Sequence, residues 1–251
     1  MRARLVSVCT LLLLAIPCLA GAAPATARVD VSPTRVDLDP RHRSALVDLR
    51  NNGDSVLRFE VSAHGWSLDE AGETTLTDSR EIALFPSIVE LAPGASRAIR
   101  IGIAQLPRAG ESSYRILVRQ LPPLQSEREA GAGIRVLTNF SIPVFASAGG
   151  GRAQPTLDAI ALEGSQLTFT LRNTGDRSLR AVQVVARGVG PAGESLFENE
   201  APGWYVLAHG ARRFEVEVPR AACSRLRKIL LEAQIAGAPP VHLERPLSCG
   251  R

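Results

Sequence analysis

Short runs of alternating apolar and polar residues fill this 251-residue chain, and Gly, Pro, Asn and Asp separate them. Because successive side chains of a strand point to opposite faces, the alternation predicts half-buried β-strands. A sustained 3.6-residue apolar period does not occur, so helix should be minor. Seven strands are predicted in the first half, at residues 28–38, 44–51, 57–66, 88–91, 96–103, 114–121 and 133–145. Seven strands are typical of an immunoglobulin-like sandwich.

A second series of predicted strands follows the Gly-rich segment 148–151. It comprises residues 156–162, 166–173, 181–187, 203–206, 213–218, 228–235 and 241–247. The phrase Leu171-Arg-Asn-Thr-Gly-Asp176 resembles Leu49-Arg-Asn-Asn-Gly-Asp54, and in both a strand ends in an Asn/Gly turn. The fold class is therefore all-β, with one sandwich over residues 28–147, a linker over 148–153 and a second sandwich over 154–251.

The last predicted strand of the first half alternates for longer than one small sheet face needs. Its apolar side comprises Ile134, Val136, Thr138, Phe140, Ile142 and Val144. Such a strand either completes the core of its own domain or pairs with another protein by β-augmentation, and alternation alone leaves both open. The polar, Gly-rich segment 124–133 before it is either an ordinary hairpin loop or a segment that becomes ordered on binding.

The N-terminus has the pattern of a secretory signal peptide. Arg2 and Arg4 precede the apolar run 5–20, and small residues follow, so cleavage is expected between residues 22 and 27. No later stretch reaches the ~20 apolar residues of a membrane helix. Cys9 and Cys18 lie in the predicted signal peptide and would be removed with it. The two remaining cysteines, Cys223 and Cys249, are expected to form a disulfide in an oxidising compartment.

The composition argues against several classes of function. The formal charge of +4 includes two signal-peptide arginines, and only 4% of residues are aromatic, so a nucleic-acid surface is not indicated. The four histidines lie far apart, without metal-ligand spacing. The sequence contains no G-x-S-x-G elbow, P-loop or G-x-G-x-x-G motif. We therefore expect a protein that is not an enzyme and that uses no cofactor and no metal.

Five segments of the first half carry a resemblance to a known family. They are VSPTRVDL at 31–38, FPSIVELAPG at 85–94, RIG at 100–102, ESSYRILVRQLPP at 111–123 and IPVF at 142–145. In order and spacing they resemble the periplasmic pilus-assembly chaperones of the chaperone–usher pathway. Tyr114-Arg115 and Ile142-Pro-Val-Phe145 are similar to the archaic branch, whose subunits resemble spore coat protein U.

This resemblance implies a fold, a mechanism and a set of partners. Two immunoglobulin-like domains would form an L with a cleft between them, in the periplasm. The last strand of the first domain would fill the open groove of a pilus subunit until an outer-membrane usher exchanges it, a process called donor-strand complementation. Ile134, Val136, Thr138 and Phe140 would enter the groove. Whether the free chaperone caps this strand by dimerising is left open.

The resemblance also implies a basic pair that binds the C-terminal carboxylate of the subunit. Arg35 matches the arginine of the family's first strand. Pro143 stands where the better-known branch has a lysine, so the second charge must come from elsewhere. Arg115 is the first candidate and Arg152 the alternative.

The same architecture also allows a function of a different class. A structural pilus subunit or a two-domain adhesin could also consist of two β-sandwiches. A pilus subunit should carry a free N-terminal extension of alternating apolar residues. Residues 28–38 alternate, but Pro33 interrupts them and Arg35 lies in the middle. This pattern favours a folded first strand, and with it the chaperone.

Overall fold

A computed structural model describes residues 29–69, 72–123 and 136–249. The predicted signal peptide and Ile134 therefore lie outside the described residues. Within these ranges the chain forms strands almost throughout and one short helix, and the strands assemble into two β-sandwiches, as the alternation predicted. None of the described residues belongs to a helix long and apolar enough to span a bilayer.

The first sandwich contains ten strands. They are β1 (Val29–Ser32), β2 (Val36–Leu38), β3 (Ser44–Asn51), β4 (Leu57–Leu68), β5 (Thr74–Asp78), β6 (Ile82–Phe85), β7 (Ile88–Leu91), β8 (Ser96–Ile103), β9 (Glu111–Gln120) and β10 (Asn139–Ser147). One sheet has the order β1-β3-β8-β6. The facing sheet has the order β2-β10-β9-β4-β5, with β7 paired to β4. Apolar side chains such as Phe59, Ile101 and Ile116 are fully buried between them.

The predicted first strand, residues 28–38, is wrong as a single element. It is broken at Pro33, and its two halves belong to different sheets: β1 pairs antiparallel with β3, whereas β2 runs parallel to β10. Pro33 has no backbone N–H to give to a ladder, which is why the break falls there. Strand β5 was not predicted, because all five of its side chains are exposed and no apolar period marks it.

The second sandwich contains eight strands and the short helix α1 (Arg220–Cys223). The strands are β11 (Pro155–Glu163), β12 (Gln166–Asn173), β13 (Leu179–Val189), β14 (Ser195–Pro202), β15 (Tyr205–Val206), β16 (Ala211–Glu217), β17 (Lys228–Ile235) and β18 (Val241–Pro246). The sheets are β11-β12-β16 and β14-β13-β17-β18, with β15 paired to β13. Strand β14 was not predicted. The predicted disulfide is present, and it links Cys223 to Cys249.

Strand β10 begins later and ends later than the predicted range 133–145. The described residues 136–138 precede it, and it runs from Asn139 to Ser147. The reason lies in its neighbour, because β9 ends at Gln120 and Pro122 and Pro123 follow without backbone donors. The last contacts join the Gln120 N–H to the Thr138 carbonyl at 3.1 Å and the Thr138 N–H to the Gln120 side chain at 2.9 Å.

The Asn/Gly turns that look alike in the sequence are also alike in three dimensions. Asn51 is fully buried, and its amide donates to the carbonyls of Ser55 and Leu91 at 2.8 and 3.0 Å. Its side-chain oxygen accepts from the Gly53 N–H at 2.9 Å. Asn173 makes the equivalent bonds in the second sandwich. Each sandwich therefore fixes the same turn with one buried amide.

Candidate functional site

One edge of β10 is only partly covered. Strand β9 pairs with β10 along its whole length, from Asn139 to Ser147. On the opposite edge, β2 pairs only with residues 144–146. Among the described residues, no strand covers the outer edge over residues 139–143. Uncovered N–H and C=O groups of this kind are a template for a strand of another chain.

The predicted donor residues fall into two groups along this strand. Val136 is 78% exposed and Leu137 37% exposed, and both precede the sheet. Thr138 is half-buried at the last contact with β9. Phe140 is partly buried and packs against the core of the first sandwich. From Phe140 onward, the apolar side of the strand therefore packs into the domain's own core, whereas the Val136 side chain is exposed and does not belong to that core.

Arg115 lies on the face of β9 that points away from the core. Only 5% of the residue is exposed, and its guanidinium carbon lies 3.6 Å from the ring centre of Trp66. Its hydrogen bond to the Ser141 carbonyl is long, at 3.4 Å. Within the described ranges no carboxylate lies within ion-pair distance, and burial lowers the pKa of Arg115. Because a guanidinium keeps its charge, Arg115 is a desolvated cation in need of an anion.

Trp66 adds a second unused donor beside Arg115. The residue is 4% exposed, and its Nε1 is buried without a hydrogen-bond partner among the described residues. The indole thus gives its face to the arginine, while the N–H at its edge is left for an acceptor. Buried Trp N–H groups usually find a partner, so this one is available to an acceptor that the described chain does not itself supply. From the sequence, Trp66 is expected to take part in core or interdomain packing, and it packs between the sandwiches. The availability of its N–H was not predicted, because a single Trp in an alternating strand carries no ligand signal.

Aromatic side chains from both sandwiches meet next to Arg115. We call Trp66, Phe145, Tyr205 and Leu207 the cleft cluster. Trp66 lies 5.9 Å from Phe145 and 5.7 Å from Tyr205, measured between ring centres, and Phe145 lies 5.4 Å from Tyr205. The cluster packs the outer face of the β10-β9-β4 sheet against the second sandwich.

The structure brings the two predicted anchor arginines to this one cluster. The guanidinium carbon of Arg35 lies 4.5 Å from the ring centre of Phe145, and Arg35 and Arg115 each lie 5.9 Å from that of Tyr205. Arg35 is already paired, since its Nε and Nη2 donate to the carboxylate of Asp37 at 2.8 and 2.7 Å. These hydrogen bonds raise the pKa of Arg35. Its charge is therefore compensated, whereas that of Arg115 is not.

The two remaining positions of the predicted anchor are also located. Pro143 lies directly opposite Arg115 in the register of β10 and β9. Arg115 thus stands beside the position where a lysine was expected. Arg152 is exposed and lines a separate polar cavity with Asp176 and His209. Of the two candidates for the second charge, Arg115 is the one that lies at the cleft cluster.

A buried carboxylate joins the two sandwiches near the start of β9. The side chain of Glu111 is 1% exposed, and its Oε1 accepts from the Ser178 N–H at 2.9 Å. Its Oε2 lies 3.0 Å from the Nε of Arg177, although the geometry of this contact is not that of a hydrogen bond. The contact is therefore mainly electrostatic. Together with the cleft cluster, it fixes β9, and with it Arg115, relative to the second sandwich.

Comparison with known proteins finds a family model that is similar to the first sandwich. Residues 28–147 match the family model described as pili and flagellar-assembly chaperone, PapD N-terminal domain. No curated protein matches the chain. The first sandwich is thus similar to the N-terminal domain of the chaperones that assemble pili.

Solved structures similar to the whole chain have the same two-sandwich fold. One is a chain of the CsuC–CsuE chaperone–tip adhesion subunit complex from archaic chaperone–usher pili of Acinetobacter baumannii. It has a TM-score of 0.61 and 19% identity, over 87% of this chain and 98% of that one. Another comes from the Salmonella enterica SafA pilin–SafB chaperone complex, with a TM-score of 0.54 and 14% identity over 88% and 98%. The class 5 fimbriae chaperone CfaA has a TM-score of 0.53 and 13% identity, over 88% of this chain and 100% of that one.

Proposed function

We propose that this protein is a pilus-assembly chaperone that binds subunits by donating the strand around Val136 to Phe140. The observation that carries the proposal is the outer edge of β10, which no described strand covers over residues 139–143. Residues 28–147 would be the donor domain, 154–251 the second domain and 148–153 the linker. The match of residues 28–147 to the chaperone family supports this assignment.

The exposed strand has the chemistry that an open apolar groove requires. Backbone groups along the outer edge of β10 would pair with an edge strand of the subunit, which is β-augmentation. Val136, at 78% exposure, has nearly its full side chain to bury, and a Val buried from water contributes ~1.5–3 kcal/mol. Ile134 would add a comparable amount. Thr138 and Phe140 are half-buried already, so their contribution would be smaller.

The C-terminal carboxylate of the subunit would bind at Arg115. A carboxylate has two oxygens, and Arg115 and the Nε1 of Trp66 are adjacent donors in need of an acceptor. Arg35, paired with Asp37, would add to the positive potential from the other side of Phe145. This assignment makes Arg115 the principal anchor and Arg35 the supporting one.

The finer assignments follow from the sequence. Tyr114-Arg115 and Ile142-Pro-Val-Phe145 support the archaic branch, and so spore coat protein U-like subunits and an outer-membrane usher as partners. The signal-like N-terminus supports export to the periplasm. A second copy of the chain could cover the same strand edge when no subunit is present.

Co-expression in a periplasm with the small exported proteins encoded beside this chain tests the proposal. We expect one of them to co-purify at equal stoichiometry. Val136→Asp, alone or combined with Ile134→Asp, should abolish the complex while the chaperone stays folded by circular dichroism. Leu46→Asp is the matched control, because Leu46 is also exposed, at 47%, and lies in β3 of the facing sheet. A complex that survives the double change would refute strand donation.

The anchor is tested separately. Arg115→Lys keeps the charge but loses the planar fork that binds two oxygens, so it should weaken the complex about tenfold. Arg35→Lys should have a smaller effect, since Asp37 already uses that fork. A subunit with an amidated C-terminus should bind the wild-type chaperone weakly, and it should bind the Arg115→Lys variant with the same weak affinity. If amidation weakened binding by the same factor in both proteins, the carboxylate would not bind at Arg115.

A further inference from the structure

The second sandwich exposes two large apolar side chains on neighbouring backbone segments. Trp204 is 44% exposed and Val182 is 51% exposed. Backbone hydrogen bonds hold their segments together: the Gly203 N–H donates to the Val182 carbonyl at 3.1 Å, and the Ala181 N–H to the Trp204 carbonyl at 2.9 Å. We call Trp204 and Val182 the exposed apolar pair.

Two local backbone features determine where the exposed apolar pair lies. The register of β13 and β17 moves from Ala181 opposite Ile235 to Gln183 opposite Gln234, which leaves Val182 as the extra residue of a β-bulge. Bulges are frequent next to functional sites, where they redirect a side chain. A Cβ on Gly203 would lie 2.1 Å from the Ala181 carbonyl oxygen, so only glycine allows the segment of Trp204 to approach β13 this closely.

The exposed apolar pair is continuous with the candidate site. The ring centre of Trp204 lies 5.7 Å from the guanidinium carbon of Arg115. It lies 6.2 Å from the ring centre of Tyr205, and the two rings meet edge-on. On its other side Arg115 reaches the Ser141 carbonyl, in the uncovered part of β10. A line of contacts thus runs from the free edge of β10 through Arg115 to Trp204.

We propose that the exposed apolar pair binds an apolar side chain in the C-terminal segment of the same subunit. This inference rests on the proposed function. The subunit strand on β10 would end at Arg115 with its carboxylate, and a side chain just before that carboxylate would lie on Trp204 and Val182. The occupant is apolar or aromatic, because the pair offers a ring face and a branched aliphatic group. The second sandwich would then select subunits by their last residues.

Tryptophan is a direct probe of this contact. The chain has two tryptophans, and Trp66 is shielded at 4% exposure, so Trp204 is the one open to solvent. With 5-fluorotryptophan in the chaperone and an unlabelled subunit, two ¹⁹F resonances are expected, which Trp204→Phe assigns. On binding the co-purifying subunit, the Trp204 resonance should shift and lose its sensitivity to D₂O. A Trp204 resonance that keeps this sensitivity in the complex would overturn the inference.

Affinity gives the second test. Trp204→Ala should weaken subunit binding tenfold or more, as expected for an aromatic contact residue. Val182→Ser should weaken it several-fold, and Trp204→Phe should restore most of the affinity. Leu46→Ser, at an exposed position on the facing sheet of the first sandwich, should change it less than twofold. Trp204→Ala must melt like wild type, so that a loss of binding reports the contact.

The outcomes separate this inference from the proposed function. If Val136→Asp abolishes the complex but Trp204→Ala binds like wild type, the chaperone function stands and the contact with the second sandwich is refuted. If Val136→Asp binds like wild type, the donor-strand proposal fails first. If no exported neighbour binds wild-type protein at all, both fall together.

Discussion

The buried carboxylate of Glu111 provides the sharpest test of how the two sandwiches are held together. Glu111→Ala removes an acceptor from the Ser178 N–H and a negative charge from beside Arg177. Glu111→Gln keeps the acceptor and removes only the charge. Comparing the two substitutions therefore separates the hydrogen bond from the electrostatic contact.

The expected magnitudes follow from burial. Removing one partner of a fully buried pair costs roughly 3–5 kcal/mol. Arg177 is 29% exposed and can regain water, so Glu111→Gln should cost about 1–2 kcal/mol. An unsatisfied, partly buried N–H adds about 1–2 kcal/mol, which brings Glu111→Ala to roughly 3 kcal/mol. Because the lost contact joins the sandwiches, the unfolding transition should also broaden or split.

Urea denaturation and differential scanning calorimetry at neutral pH would measure these changes. Glu90→Ala is the matched control, since Glu90 pairs with Arg58 at 3.7 Å on the surface of the same sandwich, 66% exposed. Such exposed pairs contribute at most about 1 kcal/mol. If Glu111→Ala were no more destabilising than Glu90→Ala, or left a single sharp transition, the contact would not couple the sandwiches.

Two further predictions concern the first sandwich. Asn51→Ala removes an amide that fixes two carbonyls and one N–H, so it should lower the free energy of unfolding by about 2–4 kcal/mol. Asn52→Ala, at the exposed neighbour, should cost under about 1 kcal/mol, and equal effects in urea denaturation would contradict this. Burial and a hydrogen bond to Glu81 raise the pKa of Tyr114 to about 12 from 10.0. The folded state favours the neutral phenol. The contribution of Tyr114 to the free energy of unfolding should therefore be complete below pH 10 and lost between pH 10 and about 12. Tyr114→Phe should remove that loss, and a phenolate absorbance titration in which Tyr114 ionised like an exposed phenol would refute it.

The sequence predicted most of the strands whose burial alternates, but it missed β5, β6 and β14. Strands β12 and β17 have the predicted bounds, because each carries apolar residues on one face. Strand β5 is exposed on both faces, so no apolar period reveals it. The start of β10 depended on where its neighbour ends, and Pro122 and Pro123 set that limit from a distant part of the chain.

The candidate site could be predicted only in part. The arginines at positions 35 and 115 could be selected by resemblance, but Asp37 pairing with Arg35 depends on which way both side chains turn. The buried N–H of Trp66 depends on packing against Tyr205, which lies in the other sandwich. Contacts between side chains so far apart in sequence leave no periodic signal, and only the folded chain reveals them.

The end of β9 at two prolines has an energetic consequence for a strand-donating chaperone. In the proposed donation, Val136 and Leu137 have no ladder of their own to leave. The two hydrogen bonds of Thr138 go to Gln120 on the β9 side, away from the edge that a subunit would use. When a subunit left, the protein would regain no hydrogen bond of its own either. Under the proposed function it would therefore act as a reusable template that needs no refolding between cycles, and the driving force for release would have to come from outside this strand.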